Sequence, residues 1–454
     1  MRRLTLVLLL LLTAACSAFA PERDYRVVTH PDGPLYVGDV VSFEVIAPPD
    51  APAGETVTVR YGDQTLGSAS FAPFGIGQRN QATFWWVWDT EGLEPGRHRL
   101  QFSLGSGFSW EETVRLRPAD QVPPPEPEAH WEMMTTECCH LYYITGTDAA
   151  RDIAWLAQTA DAQSASVAAQ MGGSLHDRID VTFMPRVLGH GGFAWDGLYI
   201  SYFDENYVGN TVEIVLHHEF VHYYDGWIGG KCRPSMFQEG LATYLSGGHF
   251  KPEPIGPRAA ALLDLGWYIP LELLANDFYN QQHETGYLEA AALVQYFYET
   301  YGPGAFNEFY RTMDCSAGAT PAQVIDAALQ EDFHLSLADL ETAFRAYLSA
   351  QPVTDDIRTD LELTVTFFDT LRRYQAAFDP SAYFLTAWLP YGQEMRSRGI
   401  VADLTRRPQA WPNRLIEPQL RRAQAALFAG DYDSARRILT WINFLLDWAN
   451  MGED

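Results

Sequence analysis

Residues 210–247 place metal-ligand side chains at fixed positions on two short predicted helices. His218 and His222 stand four residues apart, so on a helix their side chains differ by about 40° in azimuth and leave the same face. Glu219 follows the first histidine, and Glu239 falls near the start of the second helix. Two imidazoles and a carboxylate are preferred Zn²⁺ ligands, and a second carboxylate beside the open coordination position activates water. The stretch therefore predicts a metal-bearing helix pair.

Local signals support both helices. Asn210, with Glu213 three residues later, forms a capping-box pattern that predicts the start of the first helix. Gly226 is predicted to follow its end, and the second helix is predicted to open at Ser235 and close at Gly247. Because HExxH also arises by chance, a helix that merely carries two histidines is the alternative.

The residues that follow Glu239 resemble the gluzincin clan of zinc metallopeptidases, whose third ligand is a glutamate in an E-G-x-x-x-Y-L context. Here that context spans residues 239–245, and the form QEGLATYL is most similar to the bacterial peptidase MA-like domains. The resemblance implies one Zn²⁺ per chain, with His218, His222 and Glu239 as its ligands. It also implies that Glu219 is the general base.

Tyr287 opens a helical segment similar to the helix of related aminopeptidases whose first tyrosine stabilises the tetrahedral intermediate. The resemblance implies that its phenol donates to the oxyanion of the scissile carbonyl. A tyrosine that only packs at a helix start is the alternative. His249 and His283 are alternative donors, each otherwise expected to be a surface histidine.

The chain departs from the clan at three points. The spacing from His222 to Glu239 is slightly shorter than in the thermolysin family. Thr243 stands where thermolysin-like enzymes carry an aspartate that orients a ligand histidine, so another group must take that role, and Asp225 is a candidate. The G-x-M-E-N signature that binds a free amino terminus is absent, which favours endopeptidase action.

Residues 1–16 resemble a bacterial lipoprotein signal peptide. Arg2 and Arg3 precede an apolar run that is too short to span a bilayer comfortably. Residues 13–16 resemble a lipobox, with Thr13 in place of the usual leucine. The mature chain is therefore predicted to begin at lipidated Cys16 and to be tethered to a membrane outside the cytoplasm. Cleavage after Ala20, which gives a secreted protein, and an uncleaved anchor are the alternatives.

Four further cysteines, outside the cytoplasm, predict up to two disulfides. A bridge between the adjacent Cys138 and Cys139 is sterically unusual, so each is expected to pair with Cys232 or Cys315. A bridge at Cys232 would brace the connection between the two metal-bearing helices. The alternative is a second metal cluster at Cys138, Cys139 and His140.

At 454 residues the chain is too long for a single core, and its patterns predict several domains. Residues 24–118 contain short alternating runs separated by turn clusters, which predicts an all-β immunoglobulin-like sandwich. The aromatic strip at 84–88 is predicted to be core packing, with sugar binding as the alternative. Residues 119–129, which include VPPPEPE, form a predicted Pro-rich linker.

Residues 130–350 mix α and β patterns and are predicted to form an α+β, thermolysin-like gluzincin domain. Strands are predicted at 141–145, 179–184 and 198–203, and a helix at 149–171. Gluzincins pair an edge strand with the substrate backbone, and residues 189–194 are the candidate, with a flexible turn as the alternative. Residues 351–454 are predicted to be a helical extension with one hairpin that turns at 430–431.

Together these patterns predict an extracytoplasmic, membrane-anchored zinc metallopeptidase with peptide or protein substrates. The net charge of −27 argues against a nucleic-acid partner, because this surface cannot neutralise phosphates. Two other functions are compatible with the motifs. One is a non-catalytic binding lipoprotein on a peptidase-like scaffold, and the other is a zinc hydrolase of a non-peptide amide.

Overall fold

The computed structural model describes residues 25–450 except 50, 52–53, 75–78, 174–176, 188–190, 203–205, 209–210, 381 and 383–391. The predicted signal peptide with Cys16, the predicted cap Asn210 and the first part of segment 189–194 therefore lie outside the described residues. The chain divides after Gln121 into two compact units, residues 1–121 and 122–454. Within the described ranges, no helix has both the length and the apolar character needed to cross a membrane.

The first unit is built from short β-strands, and in strands such as Thr56–Tyr61 and Gly96–Leu104 the alternating apolar residues supply a buried face. These strands are β1 Arg26–His30, β2 Leu35–Tyr36, β3 Val40–Ile46, β4 Thr56–Tyr61, β5 Gln64–Ser70, β6 Ala72–Phe74, β7 Arg79–Asp89, β8 Gly96–Leu104 and β9 Ser109–Arg117. They form two sheets, ordered β1-β3-β7-β6 and β2-β9-β8-β4-β5. Phe43 from the first sheet and Phe102 from the second are fully buried in one core. The β-rich character of this region is confirmed, whereas the immunoglobulin-like topology stays a prediction.

The aromatic strip at 84–88 lies on β7 and is mainly core packing. Phe84, Trp86 and Trp88 are at most 3% exposed. The ring of Trp88 lies 6.3 Å from that of Phe43 on the neighbouring strand. Because Phe84 and Trp88 belong to this core and Trp86 is buried, the strip contributes to packing rather than to an open sugar-binding surface.

Part of the predicted linker belongs to the second unit and contacts its C-terminal residues. Glu126–Glu128 form a short 3₁₀ turn. The guanidinium of Arg406 donates to the carboxylate of Glu126, with 2.7 Å between Nε and Oε2, and both side chains are less than 10% exposed. A buried ion pair with two hydrogen bonds holds the backbone segments of Glu126 and Arg406 in place. This turn is therefore attached to the C-terminal residues.

A mixed sheet opens the second unit. Its strands are β10 Trp131–Thr135, β11 Cys139–Ile144, β12 Ile179–Met184, β13 Gly192–Ala194 and β14 Leu198–Ser201. Among the described residues their order is β10-β11-β12-β14-β13, with β11, β12 and β14 parallel and the two edge strands antiparallel to their neighbours. Helix α1, Asp148–Met171, supplies the crossover between β11 and β12 that parallel strands require. The predicted strands and helix agree with these bounds to within two residues.

The remainder of the second unit is helical. Its helices are α2 Val212–Ile228, α3 Ser235–Ser246, α4 Ile255–Leu265, α5 Leu271–Asn276, α6 His283–Thr300, α7 Gly302–Thr312, α8 Pro321–Asp332, α9 Leu337–Ser349, α10 Asp355–Phe378, α11 Gly392–Ser397, α12 Ala402–Thr405, α13 Trp411–Phe428 and α14 Tyr432–Asn450. Helices α2, α3 and α6 share one hydrophobic core with the sheet. The helical character of the C-terminal region is confirmed.

The C-terminal helices pack onto the rest of this unit through a second core. Leu371 of α10 and Leu439 of α14 cluster there with Val187 and Phe250, which precede α10 by more than a hundred residues. The α13–α14 hairpin turns at Gly430, whose φ is 69°, as predicted. The helices after residue 354 therefore close a hydrophobic surface of the unit that carries the HExxH motif.

The disulfides are Cys138–Cys139 and Cys232–Cys315, so the predicted pairing is wrong. The end of α7 lies against the α2–α3 connection, which brings the Cα atoms of Cys232 and Cys315 to 5.1 Å. Cys138 and Cys139 then pair with each other at the start of β11. Because both are oxidised, the alternative metal cluster with His140 is also wrong. Two disulfides are typical of proteins outside the cytoplasm.

Candidate metal centre

Helix α2 carries the HExxH motif and is capped at both ends. Thr211 is its N-cap, and the hydroxyl of this residue accepts the Ile214 N–H at 3.5 Å. Gly226 remains helical, and the helix ends two residues later at Ile228, which is followed by the C-cap Gly229 with a φ of 87°. The predicted cap Asn210 and the predicted end at Gly226 are therefore corrected.

The first histidine of the HHExxH sequence anchors α2 to α1. The ring nitrogens of His217 lie 2.8 Å from the side-chain oxygens of Gln163 and Gln170. The hydroxyls of Tyr224 and Ser164 lie 3.3 Å apart between the same helices. Burial lowers the pKa of His217 to about 4, so this imidazole is neutral and positions the motif helix.

Helix α3 supplies the third predicted ligand. It begins at Ser235 directly after Pro234 and ends at Gly247, whose φ is 76°, as predicted. Glu239 lies one turn into this helix and is 6% exposed. A Cβ on the next residue, Gly240, would lie 2.6 Å from the carbonyl oxygen of Ala290, so α3 sits directly against the backbone of α6.

The three predicted ligand atoms converge on one point. Nε2 of His218 lies 2.9 Å from Nε2 of His222, and Oε2 of Glu239 lies 3.3 Å from the first and 3.1 Å from the second. Ligand atoms at about 2.0–2.1 Å from a tetrahedral Zn²⁺ are separated by roughly 3.3 Å, so the residues fit this ion. Burial raises the pKa of Glu239, but the two imidazoles hold it well below its ordinary value, and the ligand is ionised. These side chains can hold a metal ion.

Tyr279 orients the carboxylate of the candidate ligand Glu239 and has no counterpart in the sequence prediction. Its hydroxyl donates to Oε1 of Glu239 at 2.7 Å, which leaves Oε2 to face the imidazoles. It lies on the 3₁₀ turn Phe278–Asn280 between α5 and α6. A donor on the far oxygen of a ligand carboxylate fixes its orientation. No motif includes this residue, and only the fold brings it to a glutamate 40 positions earlier.

Glu219 is a buried carboxylate beside the ligands. It is 6% exposed, and its Oε2 has no hydrogen-bond partner among the described residues. Burial raises the pKa of Glu219 to about 7, although the charges of His222 and His249 lower it. A carboxylate with this pKa can accept and return a proton near neutral pH.

Tyr287 lies on the first turn and a half of α6, next to the ligand group. Its ring centroid is 6.2 Å from that of His218, and the residue is 9% exposed. Burial raises the pKa of Tyr287 well above its ordinary value, and the charges of Glu239 and Glu219 add to the shift. The phenol is therefore protonated and can act as a hydrogen-bond donor beside the site.

His249 and His283 are not surface histidines, because the loop after α3 folds over the start of α6. His249 is 8% exposed, and each of the two rings lies 4.4 Å from the ring of Tyr287. Nδ1 of His249 lies 2.9 Å from Oε1 of Glu284. With Glu284, the two histidines form a second group whose ligand atoms all lie within 4.8 Å and which can hold a metal ion.

Asp225 is the predicted partner of a ligand histidine, but no hydrogen bond joins the two. Its Oδ2 accepts from the Tyr310 hydroxyl at 3.0 Å and from Arg233 at 3.4 Å. In the described part of the chain, Oδ1 of Asp225 and Nδ1 of His222 both lack a hydrogen-bond partner. The orienting role of Asp225 stays a prediction.

Strand β13 is the sheet edge nearest to the motif helix. A Cβ at Gly192 would lie 2.7 Å from a methyl carbon of Val215 on α2, so only glycine allows this close approach. Phe193 stacks on Tyr199 of the neighbouring strand with 5.1 Å between ring centroids. The described part of segment 189–194 is thus an edge strand rather than a turn.

Comparison of the chain with protein-family models, with curated proteins and with solved structures gives no match.

Proposed function

We propose that this protein is a zinc-dependent metallopeptidase of gluzincin type that cleaves peptide bonds. The observation that carries the proposal is the convergence of the His218, His222 and Glu239 ligand atoms beside a buried Glu219. A bound Zn²⁺ would supply Lewis-acid polarisation of the carbonyl and a lowered pKa for water. The surrounding side chains then determine where protons move and how the substrate lies.

Glu219 acts as the general base in this proposal. Its carboxylate takes a proton from the attacking water and later gives it to the leaving amine, so it must hold a proton transiently near neutral pH. The pKa of about 7, which burial produces, matches that task. The partner-free Oε2 leaves one oxygen available to the water.

Tyr287 acts as the oxyanion donor. Its phenol ring is buried with its centroid 6.2 Å from that of His218, and the hydroxyl keeps its proton at neutral pH. A donor that is already in place where negative charge develops stabilises the transition state more than the ground state. The substrate backbone would add to β13 as a further strand, because this edge lies directly beside the motif helix.

The proposal places the enzyme outside the cytoplasm, attached to a membrane through lipidated Cys16. The two disulfides are consistent with an oxidising compartment. The substrate is then a peptide or protein of the same compartment.

Two substitutions test the proposal in purified full-length protein. His222→Ala should reduce the zinc content from about one equivalent, as measured by mass spectrometry, because it removes a ligand. Glu219→Gln should keep that zinc and lower the cleavage rate of an unstructured protein such as casein by at least 10³-fold. Glu213→Gln is the matched control, because this glutamate is exposed on the same helix.

A wild type without zinc would refute the metal assignment. Casein cleavage by Glu219→Gln at the wild-type rate would refute the role of the base. Zinc binding without casein cleavage in the wild type would favour either hydrolysis of a non-peptide amide or a non-catalytic binding protein. A panel of small amide substrates separates these two outcomes.

A further inference from the structure

The second histidine–carboxylate group repeats the arrangement of the first. The rings of His249 and His283 are 4.8 Å apart and inclined at 72°, whereas those of His218 and His222 are 4.6 Å apart and inclined at 80°. In each group, one carboxylate oxygen lies within about 3.3 Å of an imidazole nitrogen, here Glu284 Oε1 at 2.9 Å from His249 Nδ1. The composition is therefore the same, two imidazoles and one glutamate.

The group is held by ordered elements rather than by a surface loop alone. His283 and Glu284 are the first two residues of α6, and Gln282 caps that helix by accepting the Thr285 N–H at 2.8 Å. Glu284 is 4% exposed, and His249 is 8% exposed. Pre-positioned ligands on a capped helix reduce the ordering entropy that metal binding must overcome.

Two of the nearby cations, Arg258 and Lys251, are already neutralised. Arg258 contacts the carboxylates of both Glu253 and Asp360, and Lys251 lies 2.5 Å from the same Asp360. Because these ion pairs are complete, the charge of Glu284 is not needed to balance them. The positive charge of Arg372 acts on His283 and opposes a cation there, so the affinity should be lower than at the first group.

We propose that His249, His283 and Glu284 bind a second divalent metal ion, with Zn²⁺ as the preferred ion. Imidazole nitrogen and carboxylate oxygen are ligands of Zn²⁺ in this combination. The ligand atoms all lie within 4.8 Å of one another, so modest side-chain rotations can bring them to the separation of roughly 3.3 Å that a tetrahedral ion requires.

The second ion would act on the first site through Tyr287. The phenol ring packs against the rings of both His249 and His283, with 4.4 Å to each centroid, and its centroid lies 6.2 Å from that of His218. An ion that fixes both imidazoles also fixes the phenol ring that packs against them. The second group therefore holds the phenol next to the first group.

A zinc titration tests this inference. Full-length protein is stripped with a chelator and dialysed against a series of buffered free zinc concentrations, and bound zinc is measured by mass spectrometry. The wild type should bind one equivalent first and a second at free zinc at least tenfold higher. His283→Ala should lose only the second equivalent, and His334→Ala, which changes an exposed histidine, should keep both.

Further variants separate this inference from the proposed function. His222→Ala should lose the tighter equivalent and retain the weaker one. His283→Ala could also lose the tighter equivalent through a change in folding. In that case Glu284→Gln, which preserves the shape of the side chain, tests the second site, and it should lose the weaker equivalent alone. The inference is overturned if the wild type stops at one equivalent at every free zinc concentration, or if Glu284→Gln still binds two.

Discussion

Gly240→Ala tests whether the contact between α3 and α6 sets the position of the third ligand. A Cβ at this position would lie 2.6 Å from the carbonyl oxygen, 2.8 Å from the carbonyl carbon and 3.1 Å from the Cβ of Ala290. Ordinary contact begins at 3.4 Å, so α3 would have to move by about 0.8 Å. The opposing atoms are mainly backbone and cannot rotate away. The neighbouring Glu239 must move with the helix.

The expected changes follow from that displacement. Overpacking costs about 1–3 kcal/mol, and the upper end applies where backbone resists. Replacing glycine by alanine within a helix stabilises the helix by about 1 kcal/mol and offsets part of this cost. The unfolding free energy of the variant should therefore fall by about 1–2 kcal/mol. A metal site tolerates displacements of about 0.2 Å, so a shift of about 0.8 Å in the ligand helix should weaken zinc binding at least tenfold.

Urea unfolding of the metal-free protein measures the first change, and competition with a zinc chelator measures the second. Gly304→Ala is the matched control, because Gly304 lies on helix α7 with no heavy atom within 4 Å of the added Cβ. This control should be stabilised by up to about 1 kcal/mol and bind zinc normally. A Gly240→Ala variant as stable as the control, with wild-type zinc affinity, would refute the reasoning.

Two further predictions concern a tyrosine that bonds to Glu239 and a buried glutamate on α6. Tyr279→Phe removes the bond to Oε1 of Glu239 and should lower zinc affinity about tenfold in the same competition assay, with unchanged circular dichroism. Burial raises the pKa of Glu289 well above 4.5, so the folded state keeps a proton that the unfolded chain loses, and stability falls as pH rises above 4.5. Glu289→Gln still accepts from the Ile269 N–H and should abolish this loss, which is about 1.4 kcal/mol per pH unit, in urea unfolding from pH 5 to pH 8. Wild-type zinc affinity in Tyr279→Phe would contradict the first prediction. If stability fell with pH equally in the wild type and in Glu289→Gln, the second prediction would be wrong.

The convergence of the three candidate ligands could be anticipated because helix geometry fixes which residues share a face. A four-residue spacing was enough to predict that His218 and His222 lie on the same helix face. A second helix packed next to the first was enough to predict that Glu239 lies near them. Tyr279 and the His249 cluster could not be anticipated, since packing between distant segments determines their positions. His249 sits in a loop whose polar sequence resembles that of an exposed turn.

The secondary structure likewise divides into elements that the sequence pattern predicts and elements that depend on tertiary packing. Strand β12, which reads IDVTFM, was predictable to the residue, because apolar Ile179, Val181 and Phe183 alternate with polar residues and are buried. Strand β5 reads QTLGSAS and is half-exposed throughout, so it carries little hydrophobic signal. The pairing of Cys232 with Cys315 depends on where α7 ends relative to α2. That relation is a tertiary property, which cysteine spacing does not contain.

The bond between Glu126 and Arg406 bears on how this chain can be divided or recombined. It joins the entry of the second unit to a residue 280 positions later, while Val187 and Phe250 rely on the C-terminal helices for cover. A chain that stopped at residue 350 would release the entry turn and expose an apolar surface. The smallest fragment that carries the candidate metal ligands and can fold alone therefore begins near residue 122 and includes the C-terminal hairpin. A chimaera must transfer both ends of this unit together.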